Sequence, residues 1–191
     1  PEALSQQAGP VTTDLEHDNT GWTEITGLEP DTKYFYEIST ADAPAGVERL
    51  RGHFHTLPTP ESVADPVTNP DGLFNFRFEF ATGNNQKTMG GTNYGPELPT
   101  YKTMLRELIK DDEHSRVDFG VLNGDWLYEE NREYPLESWL DQVGVSMDQA
   151  PRVVELMPTI VGVWENYKTF LSRGVPLAAW HRYVPSYYTF D

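Results

Sequence analysis

Val117-Asp118-Phe119-Gly120-Val121-Leu122-Asn123-Gly124-Asp125-Trp126-Leu127-Tyr128-Glu129 is the stretch on which the fold turns. Its first half is a short apolar run of the kind that forms a buried strand. The Gly-Asp that follows puts a carboxylate, and three residues later a phenol, at that strand's C-terminal end, where α/β sheets bind ligands. Gly124 allows a tight exit from the strand. Asp125 is a hard anionic donor able to bridge cations, and Tyr128 can swing back onto the same ion. The spacing reads as half of a metal site, although a Gly-Asp after a strand is equally an ordinary turn.

The sequence upstream bears on that choice. Phe74, Phe76, Phe78 and Phe80 alternate with Asn75, Arg77 and Glu79, a strand pattern that runs into the polar loop Ala81-Thr82-Gly83-Asn84-Asn85-Gln86. After a Gly90-Gly91-Thr92-Asn93 loop, Tyr101, Met104, Leu105, Leu108 and Ile109 fall at helical spacing, with Pro99 and Thr100 near the start and Lys102, Arg106, Glu107 and Lys110 on other faces. The unit is therefore strand, crossover helix, strand, with candidate site residues at both strand ends. That topology favours the site over the turn.

The extended pattern Gly124-Asp125-x-x-Tyr128-Glu129 resembles the second metal-binding block of the calcineurin-like metallophosphatases, specifically the PhoD alkaline phosphatase and phosphodiesterase family. Purple acid phosphatases share the Asp and Tyr at this spacing. The resemblance implies that Asp125 is the catalytic aspartate bridging two metals and that Tyr128 binds the iron of an iron and calcium pair. The family's first block is a Phe-x-Phe-Ala-Ser-Cys segment. Here Gly83 stands at the cysteine position with no side chain to offer, and Asn84 is either a substitute ligand through its amide oxygen or a hydrogen-bonding turn residue. The terminal run Val184-Pro185-Ser186-Tyr187-Tyr188-Thr189-Phe190-Asp191 reads as a strand, which in such relatives leads into an Asp-Asp-His-Glu third block. Asp191 is then either a site residue or the last acid of a cut chain.

The style of the sequence changes near residue 60. Before it lie short β-type runs at residues 22–25, 33–38 and 49–56, separated by turn-rich segments. Gly27-Leu28-Glu29-Pro30-Asp31-Thr32-Lys33-Tyr34-Phe35-Tyr36 is similar to the tyrosine corner of fibronectin type III domains, and Phe54-His55-Thr56-Leu57-Pro58 to that domain's last strand. Gly52-His53-Phe54-His55 matches the Gly-His-x-His block that ends many metallophosphatases, but it precedes Gly-Asp-x-x-Tyr instead of following it, so it is read as a strand with two histidines on one face. The expected organisation is α+β and multi-domain. A partial fibronectin-like β-sandwich (1–58) and a proline-rich linker (59–72) lead into the first half of a four-layer αββα metallophosphatase domain (73–191).

Beyond Tyr128, residues 129–133 read as a solvated loop except for Glu129 of the motif. Trp139, Leu140, Val143 and Met147 predict a short helix, and residues 150–172 a longer helical stretch interrupted at Pro158. Trp164, Tyr167 and Trp180 are read as packing residues, because no basic residues interleave with them, and the isolated His181 as structural.

Composition limits the partners. Thirty acidic against fourteen basic residues give a net charge of −16, which would repel nucleic acid and anionic membranes. The absence of cysteine excludes disulfides and thiolate metal sites. No apolar run is long enough for a membrane span, and no signal peptide or initiating methionine precedes Pro1. The chain thus reads as a piece of a longer protein that is inactive alone. The resemblance implies hydrolysis of small phosphate monoesters or diesters in the periplasm or outside the cell. Two other readings stay open, a non-catalytic binding or adhesion module with a decayed metallophosphatase half, and a purple-acid-phosphatase-like enzyme.

Overall fold

A computed structural model of the chain describes residues 6–41, 50–83, 99–108, 110, 116–125 and 134–189. It is a mixed α and β protein with two small sheets and two compact units. One unit comprises Pro1–Ile25, Asn84–Glu97 and Leu127–Val175, and the other Thr26–Gly83, Leu98–Trp126 and Pro176–Asp191.

The first unit is helical where described. A 3-10 turn at Leu15–His17 is capped by the Asp14 carboxylate, which accepts from the His17 N–H. Helices α3 (Leu136–Val143), α4 (Arg152–Leu156) and α5 (Ile160–Arg173) follow. The expected break at Pro158 separates α4 from α5. Met147, read as part of the preceding helix, begins a separate 3-10 turn, because Gly144 in the left-handed region (φ 70°) has already ended α3. Trp139, Val154 and Val161 are fully buried and form the core, with Trp164 packed on Trp139 at 6.0 Å between ring centroids. Each such side chain contributes about 1.5–3 kcal/mol through burial. Lys168 joins Asp18 and Glu165 at 2.9 Å each.

The second unit holds both sheets. Strands β1 (Lys33–Ile38) and β2 (Leu50–His55) form an antiparallel pair with Lys33 opposite His55 and Ile38 opposite Leu50. Before β1 the Tyr34 hydroxyl accepts from the Glu29 N–H at 2.8 Å and holds the turn. Residues 22–25, expected as a strand, are not one. They find no pairing partner among the described residues, and Trp22 is 84% exposed. The proline-rich segment after β2 is ordered by its own side chains. Thr59 and Ser62 cap helix α1 (Pro60–Val63) reciprocally, Asp65 accepts from the Val67 and Thr68 N–H groups, and Asn69 bonds to Val63 and Leu73.

Strands β3 (Phe78–Ala81), β4 (Phe119–Asn123) and β5 (Ser186–Thr189) form a wholly parallel sheet in the order β3-β4-β5. Helix α2 (Pro99–Leu108) lies between β3 and β4 in sequence, as its apolar spacing predicts, and α6 (Val175–Trp180) precedes β5. Among the described residues, Tyr101, Leu122, Leu177, Trp180 and Val184 are the buried apolar side chains of this unit, with Tyr101 and Trp180 packed edge to face at 6.0 Å. The phenylalanines of β3 occupy the other face. Phe78 and Phe80 are half exposed, as is Phe76 just before the strand, and the rings of Phe76 and Phe78 gather with Phe119, which meets Tyr187, Phe78 stacking on Phe119 at 5.5 Å. Glu79 takes the covered face instead, between the strands and the Tyr101 and Trp180 rings.

Candidate functional site at the strand ends

Because β3, β4 and β5 are parallel, their C-terminal ends share one edge of the sheet. The register pairs Ala81 with Leu122 and Asn123 with Thr189. Gly83 therefore leaves β3, and Gly124-Asp125 leaves β4, at the same level. Asp125 follows the central strand, flanked by an exit on either side.

The backbone there is unusual. Gly124 (φ 73°) and Asp125 (φ 50°) are successive left-handed residues, and Gly83 is left-handed as well (φ 75°). For most side chains that region costs about 1–2 kcal/mol, and aspartate is among the few that enter it readily. Two hydrogen bonds tie the β4 and β5 ends together: the Gly124 N–H donates to the Thr189 carbonyl at 3.3 Å, and the Thr189 hydroxyl donates to the Asn123 amide oxygen at 3.0 Å. Asp125 is half buried.

Of the residues expected to carry chemistry, Asp125 stands at this edge. Asn84, Tyr128, Glu129 and Asp191 lie outside the described residues. Gly83, in the position of the family cysteine, immediately precedes Asn84. Among the described residues no group of three or more His, Asp or Glu side chains gathers as a metal cluster. The described part of the edge thus offers one carboxylate, that of Asp125, whose oxygens suit a hard cation such as calcium or iron without making a cage for it.

His53 and His55 sit in the hairpin, away from the strand ends in sequence and in strand register. The His53 ring lies against Phe35 and Tyr183, and the His55 Nε2 is 3.6 Å from Asp31. A small cleft lies beside them, lined by Tyr36, His53, Phe54, His181, Tyr183 and Pro185, and its walls are chiefly apolar.

Three acid-base features escaped the sequence reading. Asp118, inside the apolar run, is buried and accepts from the Arg77 N–H at 2.8 Å while pairing with the Arg116 guanidinium. The signal was present as a charge in an apolar strand with an arginine two residues before it on the same face. Glu79 lies over Gly120, where a Cβ would come within 3.0 Å of its Oε2. Burial pushes its pKa above the ordinary carboxylate value, partly offset by the Tyr101 hydroxyl and Trp180 indole N–H nearby. Neither of those buried donors reaches it with the geometry of a full hydrogen bond. The Tyr188 phenol, desolvated beside the Glu79 charge, is pushed up to about 12.

His181 has a defined network. The Ser186 hydroxyl donates to the Val184 carbonyl at 3.1 Å, so at 3.0 Å it accepts from His181 Nδ1, and Nε2 lies 2.9 Å from the Tyr188 hydroxyl. Burial lowers the His181 pKa and so favours the neutral ring, whose Nε2 is then the acceptor.

Comparison with family models, with curated proteins and with solved structures returns no match for this chain.

Proposed function

We propose that this chain carries the first half of a PhoD-like metallophosphatase domain and belongs to a metal-dependent phosphomonoesterase or phosphodiesterase. The observation that carries the reading is the position of Asp125. It leaves the central strand of a parallel sheet through two left-handed residues, between the exits that lead to Asn84 on one side and Asp191 on the other. A carboxylate between two neighbouring ligand sets is the one able to serve both, which is the bridging role the resemblance gives it.

In this reading Asp125 would hold both cations and Tyr128 the iron, Asn84 and Asp191 would add donors, and the family's remaining ligands would come from beyond this half of the domain. When bound, an iron and calcium pair supplies Lewis-acid activation of the phosphoryl group and of water for in-line attack. The chain's own part is to hold the aspartate in a fixed direction and to concentrate negative charge where cations neutralise it. Substrates are small phosphate esters rather than nucleic acid, given the net charge of −16. Export to the periplasm or beyond goes with the family. No helix of the described residues is long and apolar enough to cross a membrane.

Gly83 favours a second reading, in which a metallophosphatase half has lost a ligand and persists as a binding or adhesion module. Hydrolysis of a chromogenic phosphodiester by the intact parent protein with added calcium and iron, beside its Asp125→Asn variant, separates the two. The enzyme reading expects turnover that falls at least about a hundredfold in the variant. An inactive parent under those metals would transfer the assignment to the binding module. A purple-acid-phosphatase-like enzyme shares the Asp and Tyr, and the parent's downstream sequence separates it from the PhoD type, Gly-Asn-His-Glu against Asp-His-Glu.

A further inference from the structure

We propose that the β1–β2 hairpin is a strap that holds the turn feeding β5, so that the hairpin and the parallel sheet order together rather than as separate modules. The turn spans residues 181–185, between α6 and β5. Its Arg182 carbonyl accepts from the hairpin twice, from the His53 N–H at 3.1 Å and from the Tyr36 hydroxyl at 3.0 Å. A carbonyl oxygen has two lone pairs, and the hairpin takes both. Gly52, opposite Tyr36 in the hairpin register, lets the two backbones come this close. It is buried, and a Cβ there would run into the Arg182 carbonyl oxygen and the Tyr36 ring. The His53 ring extends the contact by one residue, its centroid 4.9 Å from that of Tyr183.

The hold passes directly into the sheet. Pro185 closes the turn, and its carbonyl accepts from the Gly120 N–H of β4 at 2.8 Å, the bond that starts the β4–β5 ladder. At the turn's other end, His181 bonds to Ser186 and Tyr188 of β5 itself. β5 is four residues long and pairs with β4 alone among the described residues. A strand that short draws little order from its own ladder, so the placement of its lead-in decides whether it pairs.

The test is amide hydrogen exchange of the full chain, followed residue by residue by NMR, in the parent, Gly52→Ala, Tyr36→Phe and Arg51→Ala. Alanine at 52 forces the hairpin off the turn, and phenylalanine at 36 removes one of the two donors. Arg51→Ala removes the hairpin's own ion pair with Glu37, 2.8 Å long, and serves as the control. The expected result is exchange at the Gly120 amide and at residues 186–189 about tenfold or more faster in Gly52→Ala and about three- to tenfold faster in Tyr36→Phe. Arg51→Ala should stay within about twofold of the parent. Helices α3 to α5 of the other unit should exchange as in the parent throughout. Parent-like exchange at Gly120 and 186–189 in Gly52→Ala, or in Tyr36→Phe should Gly52→Ala not fold, would overturn the strap and make the hairpin a separate module. An acceleration shared equally by α3 to α5 would overturn it too, since the loss would then be global.

Discussion

Asp118 shows how a single side chain can fix a strand that hydrophobic pattern alone leaves loose. Its carboxylate is 2% exposed, with one oxygen on the Arg77 N–H and the other on the Arg116 guanidinium, while its own N–H donates to the Arg77 carbonyl at 2.8 Å. The acid thereby extends the β3–β4 pairing one step before the ladder proper begins at Phe78 and Phe119. Removing it takes the acceptor from the Arg77 N–H and unpairs a cation that is only 35% exposed. Asp118→Ala should therefore lower unfolding stability by about 3 kcal/mol and Asp118→Asn by less, since the amide oxygen can still accept from Arg77. Urea unfolding at neutral pH measures both, and a loss below about 1 kcal/mol in the alanine variant would show that the pairing is held by other contacts.

At the scale of elements, β3 is packed through Glu79 and Ala81 while its phenylalanines face outward. The acid under Tyr101 of α2 and Trp180 of α6 makes the packing of this layer depend on pH. Because burial raises its pKa in the fold above the unfolded value near 4.5, the protonated form is the one the fold favours. Its stabilising contribution is complete below pH 4.5 and is lost as the pH rises through the raised value. Glu79→Gln should match the parent's thermal midpoint near pH 4 and exceed it at pH 7. A difference that is constant across that range would mean that Glu79 does not titrate within this layer. His181 has the opposite sign. Its lowered pKa means that the neutral ring's contribution is complete above pH 6.5 and is lost as the pH falls below it. A pH series on Glu79→Gln therefore leaves a loss that His181 begins below pH 6.5 and that the carboxylates with lowered pKa, Asp14, Asp65 and Glu107, continue at more acid pH.

Over the whole molecule, thirty acidic residues face fourteen basic ones, so long-range repulsion exceeds what ion pairs such as Lys168 with Asp18 and Glu165 return. Exposed pairs are worth about 0–1 kcal/mol each, and many measure nothing. Raising salt from about 10 mM to about 150 mM shortens the Debye length from about 30 Å to about 8 Å and screens the repulsion first. The thermal midpoint should rise over that interval in calorimetry, and a fall would show that specific ion pairs dominate. Divalent cations bound at a few acidic sites should act at far lower concentration than sodium.

What the sequence determined by itself was whatever depends on neighbours within a turn or two. The apolar stripe of α2, the exit of β4 at Gly124-Asp125, the Pro158 break between α4 and α5, and the strand before residue 191 were all legible from period and punctuation. The strand expected at residues 22–25 was not realised, because a β pattern needs a partner and the chain supplies none there among the described residues. Only the tertiary structure decided which face of β3 is covered, since a period of two marks two faces without naming the inner one. It alone buried Glu79 and Asp118 and joined Asn123 to Thr189 across 66 residues of sequence. Such contacts come from closing long loops onto a shared sheet, and no local pattern encodes where those ends meet.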